Sequence, residues 1–237
     1  GLKALWLVSD KLLAQNIERL RGFVPVMDET ELDDPAVARL SAPAVFSYVG
    51  IQYRSMAPDV LDLRALDWLQ GHLWVLSALY GCARPFDAVE PYRLEMGAGL
   101  AVDGARDLYG FWGADIAREI EAAVRAGEGE PAIVNLASVE YAKAVLPYAS
   151  AETRIVTCVF GEELRDGRPV QRATASKIAR GSMVRWMAER SVGDIAELER
   201  FDVGYAFAPE LSGERASGPS TRRGKTAGQR ILVFMRR

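Results

Sequence analysis

Ala132-Ile133-Val134-Asn135-Leu136, followed at once by Ala137-Ser138-Val139-Glu140-Tyr141, is the stretch that decides the fold. An apolar run of strand length meets a serine of the type that caps helices. A strand running straight into a capped helix is the repeating unit of an α/β protein. Downstream, Arg154–Phe160 and Val170–Thr174 read as two strands joined through a turn at Asp166-Gly167. Ser176–Arg190 reads as a helix, and Phe201–Ala208 and Ile231–Met235 as closing strands. Upstream, Asp107–Ala126 is expected to be one helix, because Leu108, Phe111, Trp112, Ile116, Ile120 and Val124 recur at helical spacing.

Further upstream, Ala44–Tyr48 reads as a short strand, Leu61–Gln70 as a helix and Leu73–Leu79 as a buried strand. Between Pro91 and Met96, Tyr92, Leu94 and Met96 point one way, and Arg93 and Glu95 the other, as in a strand. Residues 22–43 form a Pro- and Asp-containing connection. The chain begins with a helix that breaks near Ser9-Asp10 and resumes over Lys11–Arg21, the pattern of a helix–turn–helix hairpin. The expected fold is therefore α/β, a mixed sheet covered by helices without internal repeats. It forms a single domain over 1–237, with a hairpin element at 1–22 and a flexible basic loop at 212–229.

Composition narrows the function classes. The chain has 237 residues, 49% hydrophobic and 26% charged, as in an ordinary globular protein. No run of about 18 apolar residues occurs, and the start is too mixed for a signal peptide, so a cytoplasmic protein without membrane contact is expected. One histidine, His72, and two cysteines, Cys82 and Cys158, leave no Cys/His metal cluster or disulfide framework. A Ser-His-Asp triad would need His72 as its base, though His72 reads more simply as a satisfied histidine at a strand start. No cofactor is called for. The net charge of −3 does not favour a polyanion partner, but cations cluster at Arg172–Arg190 and beyond Ser212. Local field rather than net charge steers a polyanion.

Three polar constellations stand out. The first is Leu79-Tyr80-Gly81-Cys82-Ala83-Arg84-Pro85 with Pro91-Tyr92-Arg93-Leu94-Glu95-Met96-Gly97. On a strand, Arg93 and Glu95 would share a face roughly 6.5–7 Å apart. They then hold an anion and orient it, or form a surface ion pair. The second is Asn135, Ser138 and Tyr141 at a strand end and helix start, where anions bind or where a helix is simply capped. The third is Lys177, Gly181 and Arg185 at helical spacing, with Arg180 alongside. A glycine inside a helix costs about 1 kcal/mol relative to alanine, so Gly181 implies close approach by a ligand or by another backbone. The alternative is a solvated basic face. Cys82, two residues from Arg84, is either a thiol of lowered pKa or a small buried residue.

Together these segments resemble the bacterial YaaA family of peroxide-stress proteins. The resemblance runs through Ser9-Asp10-Lys11-Leu12, Leu76–Gly81 with Arg84-Pro85, and Pro91–Gly97. It continues through Asp107–Gly113, Val134–Ser138 with Glu140-Tyr141, and Lys177–Gly181. It implies one α/β domain with a helix-hairpin-helix element that binds double-stranded or branched DNA, and protection of DNA from peroxide damage linked to free intracellular iron. In that element, the turn Ser9-Asp10-Lys11 would offer amides and Lys11 to phosphate without reading bases. The polar blocks, with Ser9, Lys11, Arg84, Arg93, Asn135, Ser138, Tyr141, Lys177, Arg180 and Arg185, would line a positive cleft. Family members open with a strand carrying a Ser-Pro-Ala-Lys-like motif, expected upstream of Gly1. At Cys82 the family usually has an aliphatic residue, which weakens a peroxide-sensing role for this thiol.

Two function classes follow. One is a DNA-binding stress protein, whose binding falls with salt. The other is an enzyme acting on a small anionic or nucleotide-like substrate, with Glu95 or Lys177 as the acid/base group. An iron-sequestering protein lacks a ligand cluster in the sequence.

Overall fold

A computed structural model describes residues 9–24, 26, 29–127, 130–215 and 228–237. In chain order the helices are α1 (Asp10–Gly22), α2 (Pro35–Ala38), α3 (Ala44–Ser47), α4 (Ile51–Met56), α5 (Leu63–His72), α6 (Leu108–Trp112), α7 (Asp115–Ala126), α8 (Val139–Ala142) and α9 (Ala173–Arg190). The strands begin with β1 (Ala42–Pro43), β2 (Val75–Ser77), β3 (Gly81–Ala83), β4 (Ala88–Val89), β5 (Ala132–Asn135) and β6 (Arg154–Gly161). They end with β7 (Glu163–Arg165), β8 (Arg168–Val170), β9 (Tyr205–Phe207), β10 (Gly213–Arg215) and β11 (Gln229–Arg236). These fall into two compact units, one of residues 1–48 and 73–113, the other of residues 49–72 and 114–237.

The second unit holds the main sheet, in the order β10-β11-β6-β5, with β9 also on β11. β5, β6 and β11 run parallel, while β9 and β10 are antiparallel to β11, so the sheet is mixed. One of its faces is aromatic. Phe160 of β6 stacks on Phe234 of β11 at 5.5 Å and meets Phe201 edge-on at 6.0 Å, and Phe201 in turn receives Trp186 of α9 at 5.8 Å. Phe160, Phe201 and Phe234 are fully buried, and each such ring contributes about 1.5–3 kcal/mol of burial. On Ile155 of β6 pack Leu146 and Ala149. The β7–β8 hairpin turns at Asp166 and Gly167, with φ of 51° and 73°, the left-handed pair that a two-residue hairpin needs.

α9 packs on α4, α5 and β6. A Cβ on Gly181 would run into the carbonyl oxygen of Gln52, with the Gln52 carbonyl carbon at 2.9 Å and the Met56 nitrogen at 3.0 Å. The close approach that this glycine implies is therefore by the α4 backbone. α5 is tied to the end of α9 by Trp68, which donates to the Val192 carbonyl at 2.9 Å, and by Arg64, which donates to the Glu189 carbonyl at 2.8 Å. His72 ends α5 instead of starting a strand; its ring stacks on Trp68 at 4.4 Å, and Nδ1 meets the Trp68 carbonyl at 2.7 Å.

The first unit carries α1, whose N-cap Ser9 accepts the Leu12 amide, and the small β2–β3 and β1–β4 pairs. The helix expected before the break at Ser9-Asp10 lies outside the described residues. The turn between β2 and β3 is built on Ser77, whose Oγ accepts the amides of Leu79 at 3.2 Å and Tyr80 at 2.9 Å. Gly81 at the turn has φ of 74°, and a Cβ there would come within 2.8 Å of the Trp112 ring, so any side chain is strained and must displace the ring.

Several expectations are corrected. Ala44–Tyr48 is not a strand. Pro43 starts a single helical turn, and the Ala44 and Val45 amides bond the carbonyls of Asp87 and Pro85 at 2.9 and 2.8 Å. A short apolar run does not distinguish strand from helix. Leu73–Leu79 is not one strand, because the Ser77 turn reverses it into a hairpin. Asp107–Ala126 breaks into α6 and α7 at Gly113, whose φ of 50° and ψ of −121° suit glycine alone. Val170–Thr174 stops at Val170, and α9 begins at Ala173. Of Phe201–Ala208 only Tyr205–Phe207 is strand, since a capping box at Asp194 and Glu197 starts a 3-10 turn that ends at Arg200. In the basic loop, Gly213–Arg215 is a strand on β11, and residues 216–227 lie outside the described residues. Pro91–Met96 joins no sheet, although its burial alternates. Pro91 has no amide to give a ladder, and the segment is anchored through Tyr92.

Candidate functional site

In the first unit, Tyr92 fixes the Pro91–Gly97 segment. Both acceptor sites of the Ser77 hydroxyl are used by backbone amides, so its proton goes to the Tyr92 hydroxyl, 2.6 Å away. The Tyr92 hydroxyl lies 3.1 Å from that of Tyr48, and its ring meets Tyr80 and Tyr48 edge-on. Tyr80 accepts the Glu90 amide at 3.0 Å, and burial, ahead of the nearby Glu90 charge, raises its pKa. The buried Glu90 carboxylate accepts the Val24 amide with both oxygens, at 3.1 and 3.2 Å. The Ser77–Tyr92–Tyr48 cluster and Glu90 escaped the sequence reading. Only their density in the Leu76–Glu95 block hinted at them.

Arg93 and Glu95 face water from this anchored segment. Their charged atoms are 3.8 Å apart, and the side chains are 41% and 55% exposed. Such a pair contributes about 0–1 kcal/mol. Arg84 instead lies over the Trp74 ring, 4.5 Å from its centroid, with no carboxylate in ion-pair reach among the described residues. Ser9 and Lys11 stand at the start of α1. Ser9 consumes the Leu12 amide, and Asp10 puts a carboxylate in the first turn, so Lys11, exposed, is the group left to meet an anion.

In the second unit, Asn135 is spoken for at both ends. Its amide donates to Thr157 Oγ1 at 3.1 Å, and its Oδ1 accepts the Ala137 amide at 3.1 Å. Gln229 donates to the same Thr157 hydroxyl. Ser138 caps the one-turn helix α8 by accepting the Tyr141 amide at 3.4 Å. This second constellation is thus a cap joined to a sheet network. The third differs. Arg185 is paired with Glu189 at 2.8 Å, but Lys177 is exposed and has no ion-pair partner among the described residues. Arg180 is half-buried, its Nε is shut away without a hydrogen-bond acceptor, and no carboxylate lies in ion-pair reach among the described residues. Burial pulls its pKa below the usual arginine value.

At the carboxyl ends of β6 and β11, Glu162 accepts from Tyr205 at 2.6 Å and from Arg236. The Tyr205 hydrogen bond is the main cause that holds the Glu162 carboxyl below the usual range. Burial first, then Glu162, pushes Tyr205 up to about 12. Cys82 is half-buried on β3, whereas burial pushes the Cys158 thiol up to about 12. Since the thiolate is the reactive form, Cys158 is expected to escape both peroxide and iodoacetamide in the native protein. Peptide mapping before and after denaturation checks this, and native labelling at Cys158 would contradict it. Among the described residues no helix is long and apolar enough to cross a membrane, and no group of three His, Cys, Asp or Glu side chains is placed to hold a metal ion.

A mixed sheet flanked by helices defines an α/β protein. The chain belongs to the family of peroxide stress protein YaaA, whose profile matches residues 1–211. It is 43% identical over 212 residues to a UPF0246 protein of Pediococcus pentosaceus, covering 89% of this chain and 77% of the relative. A UPF0246 protein of Limosilactobacillus fermentum is 42% identical, covering 90% and 79%. The UPF0246 protein DSY0297 of Desulfitobacterium hafniense is 39% identical, covering 89% and 77%.

Proposed function

We propose that this peroxide-stress protein binds DNA through backbone phosphates, and so shields it from the damage that peroxide and free intracellular iron inflict in the cytoplasm. The observation that carries this reading is Arg180. A half-buried guanidinium whose Nε lacks an acceptor, with no carboxylate in ion-pair reach among the described residues, is costly, and an arriving phosphate relieves that cost. Lys177, three residues before it on the same helix and exposed, adds a second cation to the same anion. Lys11 at the start of α1 supplies a further phosphate contact, as a helix-hairpin-helix element would. Contacts of this kind read no bases and suit double-stranded or branched DNA.

The enzyme alternative, with Glu95 or Lys177 moving a proton for a small anionic substrate, gains no support from a Glu95 more than half in water beside Arg93.

Binding to a blunt duplex, followed by anisotropy across a salt series, tests the proposal. The logarithm of affinity should fall linearly with that of salt, by about 0.9 per phosphate neutralised. Lys177→Glu with Arg180→Gln should weaken binding about tenfold or more and reduce the slope by about 2. Affinity indifferent to salt, or untouched by the double variant, would refute the proposal.

A further inference from the structure

Ser176 Oγ and Arg180 Nε, four residues apart on α9, are both buried and have no hydrogen-bond partner among the described residues. A serine inside a helix ordinarily turns its hydroxyl back to the carbonyl four residues earlier. Here the Arg172 carbonyl receives the Ser176 amide at 2.8 Å, and the hydroxyl, on a residue only 4% exposed, is left over. Helical residues four apart share a face, with Cβ atoms about 5–6 Å from each other. Long helical side chains lean toward the N-terminus, which sets the Arg180 side chain over the turn that holds Ser176. Around the helix Arg180 falls between Ser176 and the exposed Lys177, so it links a buried hydroxyl to an exposed cation.

The start of α9 faces the same way. Its N-cap Arg172 makes no side-chain cap, and no acidic residue stands in its first turn. The Ala173, Thr174 and Ala175 amides precede the first intrahelical bond, and the Cα–Cβ bond of Ser176 tilts toward that end. A helix end of this kind carries partial positive charge and favours an anion.

We propose that Ser176, Arg180 and Lys177 form a subsite for a phosphate monoester, supplied by the 5′ end of a DNA strand or by a free nucleotide. This rests on the proposal that α9 meets phosphate, and it names the kind of phosphate. A monoester has three terminal oxygens and carries about −1.5 to −2 at neutral pH, which matches a buried hydroxyl and two cations. A backbone diester carries a single charge and is held at the surface by the sugars on both sides, away from the buried hydroxyl.

The test follows anisotropy of two short duplexes that differ only in carrying 5′-phosphate or 5′-hydroxyl ends. Wild-type protein should bind the phosphorylated duplex about tenfold more tightly, as one hydrogen bond to a charged group allows. Ser176→Ala should bind the two alike. Its urea midpoint should equal or exceed that of the wild type, because alanine removes an unbonded buried hydroxyl; a lower midpoint would mean that the hydroxyl is bonded within the fold, and overturns the subsite. A preference that came from added charge alone would survive in Ser176→Ala and also overturns it. Equal wild-type affinity for the duplexes removes DNA ends as the source and leaves duplex binding standing. A second arm follows the melting temperature with thymidine 5′-monophosphate against thymidine. Stabilisation by the monophosphate in the wild type but not in Ser176→Ala, with neither duplex bound, keeps the subsite for free nucleotides and refutes the DNA reading. No duplex preference and no response to the monophosphate overturns the subsite altogether.

Discussion

Gly181→Ala is expected to destabilise the protein by about 2–3 kcal/mol, against a helix-propensity gain of about 1 kcal/mol in the other direction. In an isolated helix the added methyl would stiffen the chain and help. In α9 it would enter the space held by the Gln52 carbonyl, with Met56 nitrogen only 3.0 Å from the new carbon. These are backbone atoms of α4, and neither can rotate aside as the end of a flexible side chain could. Relief requires α4 and α9 to separate, which loosens Met183, Val184 and the other residues that α9 buries. Urea denaturation should show a lower midpoint at an unchanged slope. Equal or greater stability of the variant would mean that the two backbones are not in close contact.

The same glycine marks the limit of what the sequence discloses. Its spacing between Lys177 and Arg185 implied something close, but ligand and backbone leave the same trace in a sequence, since both exclude a Cβ. The strongest local signals survived: Ser138 caps, Asp166-Gly167 turns, and the apolar runs of β5, β6 and β11 pair in parallel. What failed depended on partners distant in the chain. Ala44–Ser47 became a helical turn because Asp87 and Pro85, some forty residues on, take its first amides. The long helix divided because Gly113 adopts a conformation that no hydrophobic period records. Among the site candidates, residue type overstated availability. Asn135 is consumed by Thr157 and Ala137, and Arg185 by Glu189, while Lys177 and Arg180 have no such partner among the described residues.

Glu121→Gln is expected to cost about 2 kcal/mol at neutral pH and to flatten the loss of stability in acid. Glu121 is buried on α7, where Oε1 accepts the Thr153 hydroxyl at 2.5 Å and the Ser150 amide at 2.7 Å. The Arg125 guanidinium stands 3.6 Å from Oε2 and also donates to Ser150. Burial alone would raise this carboxyl. The hydrogen bonds from Thr153 and Ser150, with Arg125, outweigh it and hold the pKa below the usual value. A carboxyl whose pKa is lower folded than unfolded stabilises the protein above the unfolded value. That contribution fades as pH falls toward the folded value, because the unfolded chain takes up the proton first. Glu162, also held low, acts in the same direction, so the flattening should be partial. Glutamine keeps the shape but substitutes a neutral acceptor for the carboxylate and turns an NH2 group toward donors that need acceptors. Melting temperatures of the two proteins, measured from neutral pH downward, should therefore converge as acid removes the charge from the wild type. Parallel curves would show that the Glu121 charge contributes nothing to the fold.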